Sequence, residues 1–153
     1  MKIQIIAAGR MRGRPEAALW DDYAGRIRAW PVTLREVVPR RQPASGEASA
    51  LETTALLEAL PDRATVVALD ERGEALDSRG FATRLGRWQE AGVADLAFLI
   101  GGADGLAPAA RERASLLLSF GRATWPHLLV RALLAEQIYR AQQILAGHPY
   151  HRD

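Results

Sequence analysis

Residues 116–153 read LLLSFGRATWPHLLVRALLAEQIYRAQQILAGHPYHRD. A short apolar run, Leu116 to Leu118, ends at Ser119-Phe120. A glycine-containing loop and Trp125-Pro126 follow, then a long amphipathic segment over 127–146. Such a sequence predicts a buried strand, a loop and a helix that packs back on the sheet. The final residues, His148-Pro149-Tyr150-His151-Arg152-Asp153, hold two of the three histidines and one of the three tyrosines. Terminal residues are usually frayed. A tail rich in side chains that bond and titrate makes sense if it folds back over a site; the plain alternative is a solubilising tail.

Working outward, the same alternation repeats. Lys2–Ala8 is a β-branched, apolar run closed by Gly9 and reads as a strand. Residues 15–30 read as a helix, with Pro15 in its first turn and Leu19, Tyr23, Ile27 and Trp30 at helical spacing. Residues 32–38 form a second strand, stopped by Pro39. The polar stretch 40–49, RRQPASGEAS, is a loop from which Ser45 or Ser49 caps the next helix. Residues 65–69 read as a strand buried on both faces, and Asp70-Glu71-Arg72-Gly73 as a turn. Asp77 or Ser78 starts a helix ending near Gly92; 96–100 is another buried strand; 108–114 is a short helix. Strands alternating with helices predict an α/β fold, a mainly parallel sheet flanked by helices, in one domain over 1–153.

Composition narrows the function. The 153 residues suit one core, and no apolar run nears the roughly 18 residues of a membrane span. The start, MKIQIIAAGR, is too short for a signal-peptide core and reads as a strand. The chain has no cysteine, which removes disulfides and thiolate chemistry and fits a reducing cytoplasm. Net charge is only +2, yet of 20 basic residues Lys2 alone is lysine. Arginine suits phosphate, although a genome-wide codon preference gives the same bias. Arg10, Arg12 and Arg14 surround Gly9 and Gly13, and Arg40-Arg41 sit in another loop.

In parallel sheets, ligands bind beyond the carboxyl ends of strands. Three such ends stand out: Leu69-Asp70, Gly101-Gly102-Ala103-Asp104-Gly105, and Gly121 to Trp125. The glycines allow close backbone approach, but the spacing is neither a dinucleotide fingerprint nor a P-loop. His127, His148 and His151 match no zinc motif, and Pro149 argues against a helical ligand pair, so no metal is expected. His127 caps or begins the last helix. That helix has a broad apolar face of Val130, Leu134, Ile138, Ala141 and Leu145, widened by Leu129, Leu133 and Ile144, enough to pack on a sheet and touch another subunit. Arg131, Glu136, Arg140 and Gln143 mark its polar side. Glu136 and Arg140 read as a surface pair, while Arg131, one turn from Trp125-Pro126-His127, is better placed to meet a ligand.

Together, residues 96–106 (LAFLIGGADGL), 120–127 (FGRATWPH) and 130–152 (VRALLAEQIYRAQQILAGHPYHR) resemble the RlmH family of ribosomal RNA large-subunit methyltransferases, in the SPOUT superfamily. MKIQIIAAGR and the Val67-Ala68-Leu69-Asp70 strand end fit as well. The likeness spans essentially the whole chain. Its specificity lies in combining GGxxG, Pro-His and a terminal PYHR. Trp125 stands where Phe is usual before Pro-His, which keeps an apolar wall.

The resemblance implies a SPOUT-like α/β knot, with the C-terminal part threaded into a trefoil. It implies S-adenosylmethionine (S-adenosyl-L-methionine) as cofactor, held by Leu69, Gly101, Phe120, Gly121, Arg122, Ala123, Thr124 and Trp125. It implies a cytoplasmic homodimer, its site completed across the interface, that methylates N3 of a pseudouridine in a hairpin loop of large-subunit rRNA within the 70S ribosome. The chemistry is compatible: the sulfonium is an activated leaving group, so the enzyme must position the acceptor nitrogen and manage its proton. N3 lies on the pairing edge, so the base must be unpaired or flipped. On this reading Tyr150, His151 and Arg152, with His148, hold the nucleotide, His151 handles the proton, and Arg131 orients the base or a phosphate. Rival readings are a SPOUT-like tRNA methyltransferase, a non-catalytic ribosome-associated RNA binder and a His-dependent metal hydrolase.

Overall fold

The computed structural model describes residues 1–41 and 44–151. Five strands, β1 (Lys2–Ala8), β2 (Val32–Val37), β3 (Thr65–Ala75), β4 (Asp95–Ile100) and β5 (Leu116–Ser119), form one sheet in the order β2-β1-β4-β3-β5. Every neighbouring pair is parallel. The helices α1 (Pro15–Arg26), α2 (Ala48–Glu58), α3 (Ser78–Glu90), α4 (Pro108–Arg113) and α5 (His127–Leu145) supply the connections and the C-terminal packing.

Two cores flank the sheet. Strand residues Ile3, Ile5, Phe98 and Leu118 meet Trp20, Phe81, Leu85, Leu134 and Ile138 of α1, α3 and α5. The opposite face, with Ile6, Val66, Ala68 and Leu99, packs on Leu56 and Ala110 of α2 and α4. Alternating residues of one strand therefore serve both layers. This explains why β1 and β4 are apolar almost throughout.

Where sequence and structure differ, local physics gives the reason. The first helix stops at Arg26, not Trp30. Gln142 Oε1 accepts the N–H groups of Arg28 and Ala29 at 2.6 and 2.7 Å, and Trp30 Nε1 donates to Gln89 Oε1 at 2.6 Å. Pro31 also disfavours helical geometry at Trp30. Neither Ser45 nor Ser49 caps α2; Glu47 stands at that position without a side-chain cap. Asp77 does cap α3, accepting from Gly80 N–H at 2.7 Å.

Residues 70–73 are the informative case. They do not end the strand: β3 pairs with β5 through Leu69↔Leu118, bulges, then resumes at Glu74↔Leu118. The turn chemistry is nevertheless present, because Asp70 Oδ1 accepts from Arg72 N–H at 3.0 Å. Gly73 lets the returning chain lie against β5, since a Cβ there would come within 2.6 Å of the Leu117 carbonyl carbon.

Phe98 is fully buried, its ring 6.2 Å from that of Phe81. Phe98→Ala should lower unfolding free energy by about 3–5 kcal/mol, read by urea denaturation.

Candidate functional site

The strand order β4-β3-β5 puts three carboxyl ends side by side. Leu69, Gly101, Phe120, Gly121, Ala123, Thr124 and Trp125 line one cleft of about 360 Å³. Of the eight residues to which the resemblance gave the cofactor, only Arg122 stays off its wall. Ile100, Leu106, Leu118 and Val130 add apolar surface; Asp70, Glu71, Arg72, Asp104, Arg111 and His127 add charge and polarity.

The 101–106 loop is fixed from two sides. From α2, Glu52 Oε2 accepts from Gly102 N–H at 3.2 Å, Thr53 Oγ1 accepts from Ala107 N–H at 2.9 Å, and Ser49 Oγ donates to Gly105 C=O at 3.1 Å. The spacing 49, 52, 53 puts all three on one helical face. From α4, Arg111 donates to the Leu106 carbonyl and to Asp70 Oδ2 at 3.3 Å, tying the loop to the end of β3. Burial raises the Glu52 pKa above the usual carboxylate value, opposed by the Gly102 hydrogen bond. Gly101 has no room for a side chain: a Cβ would lie 2.6 Å from the Gly105 carbonyl oxygen.

Arg131 requires a correction. It does not line the cleft, and its side chain is 0% exposed. The guanidinium donates to the Ala8 and Gly9 carbonyls at the end of β1 and to Glu36 Oε1 at 2.9 Å. Glu36 also accepts from Met11 N–H at 2.6 Å. Arg131 thus fastens α5 to β1, β2 and the loop after β1. The signal was in the sequence: Arg131, Leu134, Ala135 and Ile138 fall at i, i+3, i+4 and i+7 of the buried stripe.

The tail also differs from expectation. His148, Tyr150 and His151 do not line the cleft; the tail packs on α5. Tyr150 Oη donates to Glu136 Oε1 at 3.2 Å, its ring meets Tyr139 edge-on at 4.8 Å, and Arg140 sits 4.9 Å over it. Arg140 Nη1 lies 3.3 Å from His151 Nδ1. The Glu136–Arg140 pair is therefore the mount for the tail rather than a surface contact. Burial and the Glu136 carboxylate push the Tyr150 phenol up. Glu136 also lines a second cavity of about 510 Å³, which shares Leu118 to Gly121 and Trp125 with the cleft. Arg152 lies outside the described residues. Among the described residues, no group of three or more His, Asp or Glu is placed to hold a metal, and no helix is long and apolar enough to cross a membrane.

Comparison with known proteins decides the family. The model described as predicted SPOUT methyltransferase matches residues 1–151. The ribosomal RNA large subunit methyltransferase H of Rhodospirillum centenum is 57% identical over 152 residues, covering 99% of both chains. The chain belongs to the RlmH family of SPOUT methyltransferases. The protein of the same name from Paramagnetospirillum magneticum is 54% identical over the same span. In structure, the chain is similar to a probable methyltransferase from Bordetella pertussis Tohama I, with TM-score 0.56, 18% identity, and 92% and 95% of the two chains covered. It is also similar to a probable methylase family protein from Haemophilus influenzae Rd KW20, with TM-score 0.59, 11% identity, and 99% and 70% covered. At these identities the likeness speaks to the fold.

In this family member, His127 both opens α5 and reaches the cleft, a second role that its place in the sequence did not disclose. Burial and the nearby Arg131 charge hold its pKa below the usual 6.5, so it is neutral at neutral pH. A lowered imidazole pKa makes the protonated form costly in the fold, so His127 penalises stability as pH falls below about 6.5. Thermal melts should show wild type losing ground to His127→Gln between pH 7.5 and 5. Arg131→Met should cost about 3 kcal/mol by taking the donor from the Ala8 and Gly9 carbonyls and from the partly buried Glu36, checked by chemical denaturation.

Proposed function

We propose that the protein transfers a methyl group from S-adenosylmethionine to N3 of a pseudouridine in a hairpin loop of large-subunit rRNA in the assembled 70S ribosome. The rRNA methyltransferase activity and its cofactor follow from family membership; the nucleotide, the atom and the ribosomal context are our inference. One observation carries the reading: the exits of β3, β4 and β5 line a single cleft.

The cleft fits the cofactor. Its volume lies in the range of small-molecule sites, about 300–1,000 Å³. At Gly121 a Cβ would meet nothing within 4 Å, so the backbone there faces open space. Apolar Leu69, Phe120 and Trp125 suit an adenine face, and main-chain groups of Gly101 and 121–124 suit its polar edge and the ribose. Carboxylates of Asp70, Glu71 and Asp104 complement a sulfonium and an ammonium, while Arg72 and Arg111 complement a carboxylate. When bound, S-adenosylmethionine supplies a methyl carbon already activated for in-line displacement.

The chain's task is then to hold the acceptor nitrogen in line and take its proton. We assign nucleotide binding to His148, Tyr150, His151 and Arg152. Glu136 ties Tyr150 to the second cavity, whose far wall is shared with the cleft, and we assign His151 as the proton acceptor. Arg131 acts at a distance, as a positioning residue, because it is buried beneath the β1 exit. We further infer that the tail is completed by a second copy of the chain. α5 leaves Leu145 49% exposed and the cleft leaves Trp125 43% exposed, apolar surface that a homodimer would cover. The trefoil knot, one domain over 1–153 and a cytoplasmic location belong to the same reading.

The test is mass-spectrometric mapping of large-subunit rRNA from cells with and without the gene, with methyl incorporation measured in vitro. The expected result is one methylpseudouridine lost in the deletion strain and restored by wild type. A chain truncated after Gly147 should bind S-adenosylmethionine with affinity within about threefold of wild type and lose at least 100-fold in turnover, the scale of removing a general base. Full turnover by the truncated chain would exclude the tail, and methylation of free tRNA but not ribosomes would overturn the substrate.

A further inference from the structure

The arginines of the loop after β1 are not among the residues that line the cleft. Arg10, Arg12 and Arg14 alternate along it and all three are exposed. Arg14 pairs with Glu16 at 4.0 Å, but among the described residues neither Arg10 nor Arg12 forms an ion pair. Glu36, the carboxylate beneath, is engaged by Met11 N–H and Arg131. At the exit of β2, by contrast, Arg40 meets Glu58 at 3.8 Å and Arg41 meets Glu47 at 2.8 Å.

The loop is held firmly despite its exposed side chains. Gly9 N–H donates to Val37 C=O at 2.8 Å, and Arg14 N–H donates to Met11 C=O at 3.0 Å. The Met11 side chain is 2% exposed, and the buried Arg131 grips the Ala8 and Gly9 carbonyls from below. A pinned backbone that presents unneutralised guanidiniums is organised for an anion, since less order must be imposed on binding.

Its place in the fold says which anion. β1 lies beside β4 with Ala7 opposite Ile100, so the loop leaves the sheet next to Gly101 of the cleft. His127 Nε2, on the cleft wall, is 3.9 Å from the position of a Cβ on Gly9. The loop that carries the arginines therefore starts beside the cleft. We propose that Arg10 and Arg12, aided by Arg14, grip the phosphates of the rRNA strand beside the nucleotide to be methylated. The proposal rests on rRNA being the substrate. A guanidinium can fork onto two phosphate oxygens at once.

The experiment compares wild type, R10A/R12A and R10K/R12K in binding to 70S ribosomes over a series of salt concentrations. S-adenosylmethionine affinity and thermal midpoint are measured on the same samples. The alanine pair should weaken ribosome binding about tenfold or more and reduce the slope of log affinity against log salt by about 1 per arginine. Cofactor affinity and melting should stay at wild-type values. The lysine pair should restore the slope, because charge returns, and most of the affinity. An alanine pair with wild-type affinity and slope overturns the proposal, as does weaker binding with an unchanged slope. Methyl transfer by wild type in the same tubes separates the two levels. Transfer without a difference between variants sinks this inference alone, whereas no transfer to ribosomes at all sinks the substrate reading beneath it.

Discussion

Every strand of the sheet points the same way, and that constraint governs the rest. A parallel sheet sends all its carboxyl ends to one edge, where the loops are free of the pairing that occupies the strands. The order β2-β1-β4-β3-β5 then sets which loops meet. β4, β3 and β5 are adjacent, so the GGADG loop, Asp70 to Arg72 and the loop from Phe120 to Trp125 close around one cleft, while the loop after β1 leaves the sheet beside Gly101. Burial on both faces is the cost of this arrangement, and near-continuous apolar strands such as AFLI in β4 satisfy it.

One buried cation holds the edge together. Arg131 takes main-chain oxygens at the end of β1 and the carboxylate of Glu36 on β2, both from α5. A guanidinium placed there is costly unless its hydrogen bonds are met by good partners. Its reward is positional: α5, whose first residue is His127, is locked to the strand exits, and the tail beyond α5 is set by Glu136 and Arg140 on the same helix. Strand exits and tail are thus both set by one helix-to-sheet contact.

Much of this was legible in the sequence. Strands and helices alternate as their hydrophobic periods indicate, and Asp77 caps α3 where an N-cap residue stood. The three strand ends that stood out as glycine-rich or polar are the three that meet. Three of the misreadings share a cause, a partner far along the chain. Residues 27–30 leave the helix because Gln142 and Gln89 capture them. The bulge at 70–73 is a turn by local chemistry, and only β5 makes it a strand again. Arg131 looks like surface by its charge; it is core because Glu36 and the Ala8 carbonyl lie 95 and 123 residues away. Periodicity reports the environment of a stripe, and the reading that put Arg131 on the polar side followed its charge instead of its place beside Leu134, Ala135 and Ile138 in the buried stripe.

The account turns on main chain at three strand exits holding one cofactor. The most direct measurement is a titration of isotope-labelled protein with S-adenosylmethionine, followed by amide chemical shifts. The account predicts saturable changes, largest at Leu69, Gly101, Gly121 and Thr124, with amides on the α1 surface unmoved. Saturation with the largest shifts elsewhere, or no saturation at all, would contradict it.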